Sequence, residues 1–356
     1  MNDFEKKEIL EYIEGAAVGD INLMEVCGTH TMSIAKAGIK SLLPGNIRLL
    51  SGPGCPVCVT VQEEIDAFLE LSMRPGIIIA TYGDMIRVPG SRPGDNLARR
   101  RALGADVRIV YSPVDAVEIA AASPEKQVVF LGAGFETTAP GTAAAIKTAA
   151  MRSLSNFSVF SMLKLVEPSL RVLIADPDFN VQGFIVPGHV AVIIGEDGFR
   201  FLTEEYRIPS VITGFEPEDI WLGIYGLIRQ IAEGRAVLKN EYSRLVRPHG
   251  NPLALKMMSE VFEPCNARWR GLGLIRESGL AIRSGYAEFD ARRRFDMVFE
   301  EKESPALCRC GDVIKGQLEP EKCPMFGGRC TPEDPVGPCM VSGEGACAAA
   351  YKYRRV

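Results

Sequence analysis

The stretch INLMEVCG at residues 21–28 is a short apolar run that ends at a cysteine, and a helical pattern over 29–42 follows it. The run IRLLSGPG at 47–54 repeats this arrangement just before Cys55. Short apolar runs that alternate with helical patterns are typical of βαβ units, whose strands lie parallel in one sheet. Residues 21–123 are therefore predicted to form one α/β domain. Its further strands are predicted over 76–83 and 107–112, and its further helices over 61–73, 94–103 and 113–122.

A second set of strands and helices begins at QVVFLGAGF, residues 127–135. Residues 124–240 are therefore predicted to form a second α/β domain similar to the first, again with a parallel sheet. Its other predicted strands are 157–165, 183–190 and 209–215, and its helices are 138–152, 167–174 and 217–233. Residues 1–20 look like an amphipathic helix, which we expect to pack on the C-terminal domain.

The pattern changes after about residue 240. Beyond Ala306, glycine, proline and cysteine are closely spaced with little periodicity. A segment of this kind buries little apolar surface, so something else must order it, and a bound metal or cluster can do so. We therefore predict an α/β protein with two similar parallel-sheet domains and a C-terminal iron–sulfur domain over residues 241–356.

Composition and charge exclude several functional classes. The chain has 356 residues, 47% of them hydrophobic and 24% charged, which is ordinary for a globular protein. Its net charge of −5 provides no field that would hold phosphate backbones, so nucleic acid is not an expected partner. The acidic start MNDFEKKEILEYIEG is unlike a signal peptide, and the apolar runs are too short to cross a bilayer. We expect a cytoplasmic protein that does not bind membranes.

Ten cysteines in a cytoplasmic chain favour metal binding or redox chemistry, because the cytosol keeps thiols reduced. Six of them crowd into the last stretch: Cys308, Cys310, Cys323, Cys330, Cys339 and Cys347. Soft thiolates hold iron–sulfur clusters or zinc. Zinc sites usually take ligands in Cys-x₂₋₄-Cys pairs, whereas most of these gaps are wider. The pattern favours an iron–sulfur cluster, with a zinc-stabilised binding protein as an alternative, and it does not choose four ligands among the six.

Two motifs at predicted strand ends carry further thiols. GPGCPVC at 52–58 places Cys55 and Cys58 in a Cys-x-x-Cys, a spacing that permits a local disulfide and a dithiol–disulfide cycle. EVCGTH at 25–30 places Cys27 and His30 just after a strand, where a helix N-terminus would stabilise a thiolate. Cys27 is therefore a candidate nucleophile or metal ligand.

Two motifs of the second predicted domain place ionisable side chains at strand ends. GFETTAP at 134–140 offers Glu136, and VPGHV at 186–190 offers His189. Either side chain could bind a cation or move a proton. The run GAGFET lacks the third glycine of a dinucleotide fingerprint, so it is weak support for NAD.

Five motifs in this order, EVCGTH, SGPGCPVC, GAGFETTAP, FIVPGHV and the terminal CxCG…CTPEDPVGPCMVSGEGACAAAYKY, resemble the HypD family of hydrogenase maturation factors. The resemblance runs from about residue 20 to the C-terminus. It implies a protein that helps to build the Fe(CN)₂CO group of [NiFe]-hydrogenases. It further implies a scaffold that works with the small chaperone HypC, receives cyanide-derived ligands from HypE and carries a [4Fe-4S] cluster.

The resemblance also implies roles for single residues. Cys27 would hold the iron that receives CN and CO, with His30 nearby, and Cys55 and Cys58 would be a dithiol–disulfide pair close to the cluster. The family spacing Cys-x₁₄-Cys-x₆-Cys-x₁₆-Cys selects Cys308, Cys323, Cys330 and Cys347, and the alternative to this set has Cys310 in place of Cys308. A thiol–disulfide oxidoreductase resembling ferredoxin–thioredoxin reductase is the rival function. A scaffold and an enzyme would carry the same residues, so both classes stay open.

Overall fold

The computed structural model describes residues 3–16, 18–297, 299 and 308–353. The strands in these residues are β1 (Ile21–Glu25), β2 (Ile47–Ser51), β3 (Ile77–Thr81), β4 (Asp106–Ile109), β5 (Gln127–Gly134), β6 (Phe157–Leu163), β7 (Gly183–Pro187), β8 (Ser210–Thr213), β9 (Leu238–Asn240), β10 (Phe262–Trp269) and β11 (Gly273–Ile282).

The α-helices of the same residues are α1 (Asp3–Gly15), α2 (Gly28–Ala37), α3 (Pro56–Val59), α4 (Gln62–Ser72), α5 (Leu97–Ala102), α6 (Pro113–Ala122), α7 (Ala139–Met151), α8 (Val166–Ile174), α9 (Gly188–Ile194), α10 (Phe201–Glu204), α11 (Pro217–Ala232), α12 (Pro252–Val261), α13 (Ala291–Arg294), α14 (Cys310–Ile314) and α15 (Ala346–Lys352). Short 3₁₀ turns are Ile39–Leu42, Gly83–Met85, Asp197–Phe199, Ser284–Phe289, Pro320–Lys322 and Pro338–Met340.

Two parallel sheets form the body of the protein, which confirms the predicted α/β class. The five-stranded sheet has the order β2-β1-β7-β8-β9, and the four-stranded sheet has the order β4-β3-β5-β6. All strand pairs within these two sheets are parallel. Strands β3, β5, β6, β7 and β8 are buried on both faces, as expected when helices cover both sides of a sheet.

The strands are shared between the sheets differently from the prediction, which divided the chain at residues 123 and 124. Strands β1 and β2 pair with strands β7 to β9, while β3 to β6 form the other sheet. Strand β1 is an internal strand of its sheet, because it pairs with β2 on one side and with β7 on the other. Buried parallel strands have similar apolar compositions, so the sequence predicts that they exist but not which ones pair.

Helix α1 packs on the five-stranded sheet through α11. Ile9 and Ile13, one helical turn apart, are buried with Ile224 of α11, and the rings of Tyr12 and Tyr225 meet edge to face at 5.0 Å. Burial of each isoleucine is worth roughly 2 kcal/mol. The observed partner of this helix differs from the predicted one, the C-terminal domain. Among the residues described, no helix is long and apolar enough to span a membrane.

The C-terminal part contains a hairpin that was not predicted and, beyond it, a segment with little regular structure, as its composition indicated. The antiparallel hairpin β10–β11 lies along the edge of the four-stranded sheet, where Leu165 N donates to Ser278 O at 2.9 Å. Residues 308–353 hold only short helices and turns. Helix α15 packs on α2, and α14 packs on α3. This segment therefore covers the two loops that carry Cys27 and Cys55.

Candidate functional site

The candidate site begins where two neighbouring parallel strands end. Cys27 follows β1 and is the N-cap of α2, and Cys55 follows β2 and is the N-cap of α3. The two loops touch, since Gly28 N donates to Gly54 O at 3.1 Å. A Cβ on residue 54 would lie 2.5 Å from Cys27 Cα and closer still to Cys27 N, so only glycine permits this approach. Carboxyl ends of adjacent parallel strands are the usual place for α/β sites.

Cys27 is buried, and its surroundings oppose a free thiolate. Its backbone N donates to Glu25 Oε2 at 2.9 Å, and Thr29 Oγ1 donates to Glu344 Oε1 at 2.8 Å beside it. Burial, with a contribution from the charge of Glu344, raises the pKa of Cys27 to about 12. Cys27 does lie at a helix N-terminus, as predicted, but the loss of solvation on burial outweighs the stabilisation that the helix gives to a thiolate. At neutral pH this thiol carries its proton unless a cation displaces it.

His30 is buried and neutral, with one ring nitrogen bare. Its Nε2 lies 2.8 Å from the carbonyl oxygen of Gly214, which can only accept, so Nε2 carries the proton and Nδ1 does not. No residue in the described part of the chain hydrogen-bonds this Nδ1. Burial lowers the pKa of His30 to about 4. The ring therefore presents a neutral lone pair, which is suited to a proton or a metal ion.

The structure brings His189 close to His30 and leaves Glu136 on the other sheet. The ring of Phe215 lies between the two histidines, 4.5 Å from His30 and 3.9 Å from His189. Glu136 follows β5 and accepts from Val166 N at 2.9 Å. Its Oε2 has no hydrogen-bond partner among the described residues, and burial raises its pKa to about 7. Glu136 therefore lies apart from the other predicted residues at strand ends, Cys27, His30 and His189.

Cys55 and Cys58 form a disulfide, with their Cα atoms 5.2 Å apart. Both are buried, and Cys58 N donates to Cys55 Sγ at 3.1 Å. Cys55 Sγ also lies 3.3 Å from Ser342 Oγ of the C-terminal segment. A narrow cavity is lined by both of these cysteines, by Cys339 and by Glu344. The disulfide therefore faces the C-terminal cysteines.

All six C-terminal cysteines line one small apolar cavity, together with Met325, Phe326 and Met340. Cys310 Sγ and Cys339 Sγ lie 2.8 Å apart, and both are buried. The other four cysteines of this cavity are Cys308, Cys323, Cys330 and Cys347. In the parts of the chain that are described, however, no three His, Cys, Asp or Glu side chains are placed to hold a single metal ion together.

Charge is distributed unevenly among these thiols. Hydrogen bonds from the thiols of Cys308 and Cys339 lower the pKa of Cys310, and the guanidinium of buried Arg270 adds to this. The same contact raises the pKa of Cys339. Arg270 Nε donates to Thr60 O at 3.0 Å, which fixes the guanidinium beside the cavity. Cys310 is therefore the sulfur of this pair that takes the negative charge.

Comparison with known proteins shows to which family the chain belongs. The HypD family, described as the hydrogenase formation hypA family, matches residues 5–354. The hydrogenase maturation factor HypD of Rhodobacter capsulatus is 43% identical over 350 residues, which cover 97% of this chain and 92% of that protein. The factor of the same name from Escherichia coli (strain K12) is 41% identical over 352 residues, 98% of this chain and 93% of its own. The chain belongs to the HypD family.

For a HypD family member, the test of the implied [4Fe-4S] cluster is whether the residues suit it. Four thiolates are the usual ligands, and six sulfurs meet here in an apolar enclosure. The donor set therefore fits.

Sequence reasoning missed several residues that this HypD family site uses. Ser342 and Glu344 lie in the run SGEG between two of the cysteines, a position that offered a signal. No sequence signal pointed to Asp84 or Arg270, because each reaches the site from a distant loop. A buried ion-paired group was also missed: Glu64 pairs with Arg292 at 2.6 Å and with Lys164 at 3.5 Å. These three side chains line a cavity of about 460 Å³, and the residues that line it include none of the predicted site residues.

Proposed function

We propose that this chain serves hydrogenase maturation as a scaffold and redox protein for assembly of the Fe(CN)₂CO group. The observation that carries the proposal is the meeting of three thiol groups. Buried Cys27, the Cys55–Cys58 pair and the six C-terminal cysteines lie on neighbouring loops and one covering segment. Its partners would be a HypC-type small chaperone and a HypE-type cyanide donor, in the cytoplasm, where thiols stay reduced.

Cys27 would hold the iron that is being assembled. A soft thiolate suits iron with strong-field ligands, and a cation at this position would displace the thiol proton. The bare Nδ1 of His30, buried near the same loops, offers either a second ligand or an acceptor for that proton. One thiolate leaves an iron short of ligands, so a cysteine of the HypC-type partner would supply another. Burial would keep the bound ligands away from water.

Cys308, Cys323, Cys330 and Cys347 would hold a [4Fe-4S] cluster, which when bound supplies electrons one at a time. This choice is supported by the contact between the other two sulfurs, because Cys310 and Cys339 pair with each other at 2.8 Å. Cys339 also lines the cavity that Cys55 and Cys58 share. Cys339 therefore lines both the cavity of the proposed cluster ligands and the cavity at the disulfide.

The Cys55–Cys58 pair would store two electrons as a dithiol and release them as a disulfide. The Cys55–Cys58 disulfide also supports the rival function, a thiol–disulfide oxidoreductase that acts on a partner's disulfide. The two functions differ in the iron at Cys27, which only the scaffold needs. A zinc-stabilised binding protein would neither bind iron nor store electrons.

The test is infrared spectroscopy of the chain purified without oxygen from cells that also make the HypC-type partner. We expect CN and CO stretching bands and iron beyond that of the cluster. Cys27→Ala should lose the bands and the extra iron and keep the visible absorption of the cluster. Cys265→Ala, which removes a half-buried thiol on β10, is the matched control and should keep all three signals. Bands that persist in Cys27→Ala would refute the scaffold role of this thiolate.

A further inference from the structure

We propose that Ser342 and Asp84 carry protons between solvent and Cys55 when the Cys55–Cys58 pair changes between disulfide and dithiol. The inference rests on the proposed redox role of that pair. Ser342 Oγ lies 3.3 Å from Cys55 Sγ and 3.3 Å from Asp84 Oδ2. Ser342 therefore touches the sulfur, and Asp84 acts on it through Ser342.

The hydrogen bonds around Ser342 determine which group donates and which accepts between Cys55, Ser342 and Asp84. Glu344 N donates to Ser342 Oγ at 3.2 Å, and Gly343 N donates to Asp84 Oδ2 at 2.9 Å. An ionised carboxylate only accepts, so the single hydroxyl proton of Ser342 points to Asp84. One lone pair of Ser342 Oγ then remains for Cys55. A protonated Cys55 would donate to Ser342, which donates to Asp84.

Burial increases along this chain of hydrogen bonds, from Asp84 near the surface to Ser342 and Cys55 in the interior. Asp84 is half-buried, whereas Ser342 is 1% exposed and Cys55 is 6% exposed. Asp84 lies in the turn after β3 of the four-stranded sheet, while Cys55 follows β2 of the five-stranded sheet. The proton path therefore exists only where the two sheets and the C-terminal segment meet.

Other groups near this cavity do not offer the same path. Among the described residues, its other titratable groups are Cys58, Cys339 and Glu344. Cys58 N donates to Cys55 Sγ at 3.1 Å, which stabilises negative charge on Cys55 rather than on its partner sulfur. Thr29 Oγ1 donates to Glu344. Cys55 is therefore the sulfur that is placed to gain or lose a proton.

The chemistry balances with a dithiol as reductant. One thiolate of the reductant attacks Cys58 Sγ, the S–S bond breaks, and Cys55 leaves with the electron pair as a thiolate. Asp84 takes a proton from water, Ser342 gives its hydroxyl proton to the Cys55 thiolate, and Asp84 passes its own proton to Ser342 and is ionised again. The second thiol of the reductant then displaces Cys58 and closes its own disulfide. In total two electrons pass from the reductant to the disulfide, the reductant's two thiols release two protons to the solvent, and the Cys55 and Cys58 thiolates take up two protons from it.

The test is the rate at which dithiothreitol reduces the Cys55–Cys58 disulfide at pH 7, in water and in deuterium oxide. Quenched samples are alkylated, and the peptide that holds both cysteines is followed by mass spectrometry. Asp84→Asn keeps an acceptor for Gly343 N but is a far weaker base, and Ser342→Ala removes the hydroxyl. Both should slow the reduction about 10- to 100-fold, within or just below the usual range for general acid–base catalysis, and lose part of the solvent isotope effect.

The controls separate proton transfer from packing and charge. Ser158→Ala removes another buried hydroxyl, on β6, that has no hydrogen-bond partner among the described residues, and should leave the rate unchanged. Ser342→Thr keeps a hydroxyl and should restore most of the rate. If Asp84 acted only as a nearby negative charge, its removal would favour the Cys55 thiolate and speed the reduction, which would overturn the relay.

The outcomes also separate this inference from the proposed function. A wild-type pair that does not cycle between disulfide and dithiol removes the redox role and the relay with it. A wild-type pair that cycles, with both variants within twofold of its rate and an unchanged isotope effect, removes the relay alone. Asp84→Asn carries the test if Ser342→Ala does not fold, because Asp84 is half-buried and at the surface.

Discussion

At the scale of single residues, burial rather than nearby charge sets the protonation of the site. Cys27, His30 and Glu136 are all shifted toward their neutral forms, and desolvation is the largest cause for each. Neutral side chains suit a place that receives a metal cargo, because a cation can displace the thiol proton and find a free lone pair on the imidazole. At neutral pH Cys27 and His30 are therefore uncharged.

Glu136 gives a test of this reading through stability. Burial raises its folded pKa from 4.5 to about 7, so the folded state binds the proton more tightly than the unfolded state. Its contribution to stability is full below pH 4.5 and is lost as pH rises to 7, by up to about 3 kcal/mol. Glu136→Gln stays neutral and keeps an acceptor for Val166 N. Urea unfolding should show the variant gaining on the wild type from pH 4.5 to 7 and then levelling off.

The control for this measurement is Glu125→Gln, which changes an exposed carboxylate. It should show a much smaller pH-dependent difference. A difference between Glu136→Gln and the wild type that is constant over the same pH range would mean that Glu136 is not desolvated as described.

At the scale of elements, the contact between the loops after β1 and β2 depends on one missing side chain. A Cβ on residue 54 would overlap the backbone at Val26 and Cys27. Gly54→Ala should therefore push the loops apart and destabilise the fold by about 1–3 kcal/mol, the usual cost of overpacking. It should also slow formation of the Cys55–Cys58 disulfide. Urea unfolding and thiol counting by mass spectrometry measure the two effects.

Gly45→Ala is the matched control, because a Cβ there meets nothing within 4 Å and its φ is not positive. Its effect should stay within about 0.5 kcal/mol. Equal effects of the two substitutions would mean that the loop contact is not needed.

The elements also show what could be predicted from sequence and why the rest could not. The strand that ends at Cys27 and the one that ends before Cys55 were predicted, because short apolar runs bounded by glycine carry a local signal. The nearness of Asp84 to Ser342 carries none, since 258 positions separate them. The same holds for the pairing of β1 with β7, which depends on which apolar edges meet.

At the scale of the whole molecule, the two sheets share one core. Met24 and Val186 of the five-stranded sheet belong to the same buried cluster as Ile79 and Leu131 of the four-stranded sheet. Unfolding either sheet would expose apolar surface of the other. We therefore expect the two sheets to unfold in one transition.

The two tryptophans of the chain can measure this, because Trp221 packs on the five-stranded sheet and Trp269 belongs to the hairpin. Trp221→Phe and Trp269→Phe each leave one reporter. Urea unfolding of each variant is followed by fluorescence and by circular dichroism. Within each variant the two probes should give the same urea midpoint. Separate midpoints would mean that the sheets are independent domains.

The C-terminal segment should behave differently, because few apolar side chains hold it. Met325, Cys330 and Met340 form its small buried cluster. If the proposed cluster is bound there, Cys330→Ala or Cys347→Ala should bleach its visible absorption and speed amide exchange over residues 308–353, with the parallel sheets unchanged. Cys265→Ala serves as the control. An unchanged spectrum in both variants would remove these cysteines from the ligand set.

The crossing of the chain between the sheets has a consequence for how the protein is made. Strand β1 leaves the ribosome early, but its neighbour β7 follows about 160 residues later, roughly 8 to 30 s at ordinary rates of synthesis. During that time Cys27 lacks β7 beside it, and it lacks Glu344 above it for longer still. A nascent chain therefore presents this thiol openly, and a partner or an iron donor can reach it before the last residues close over it.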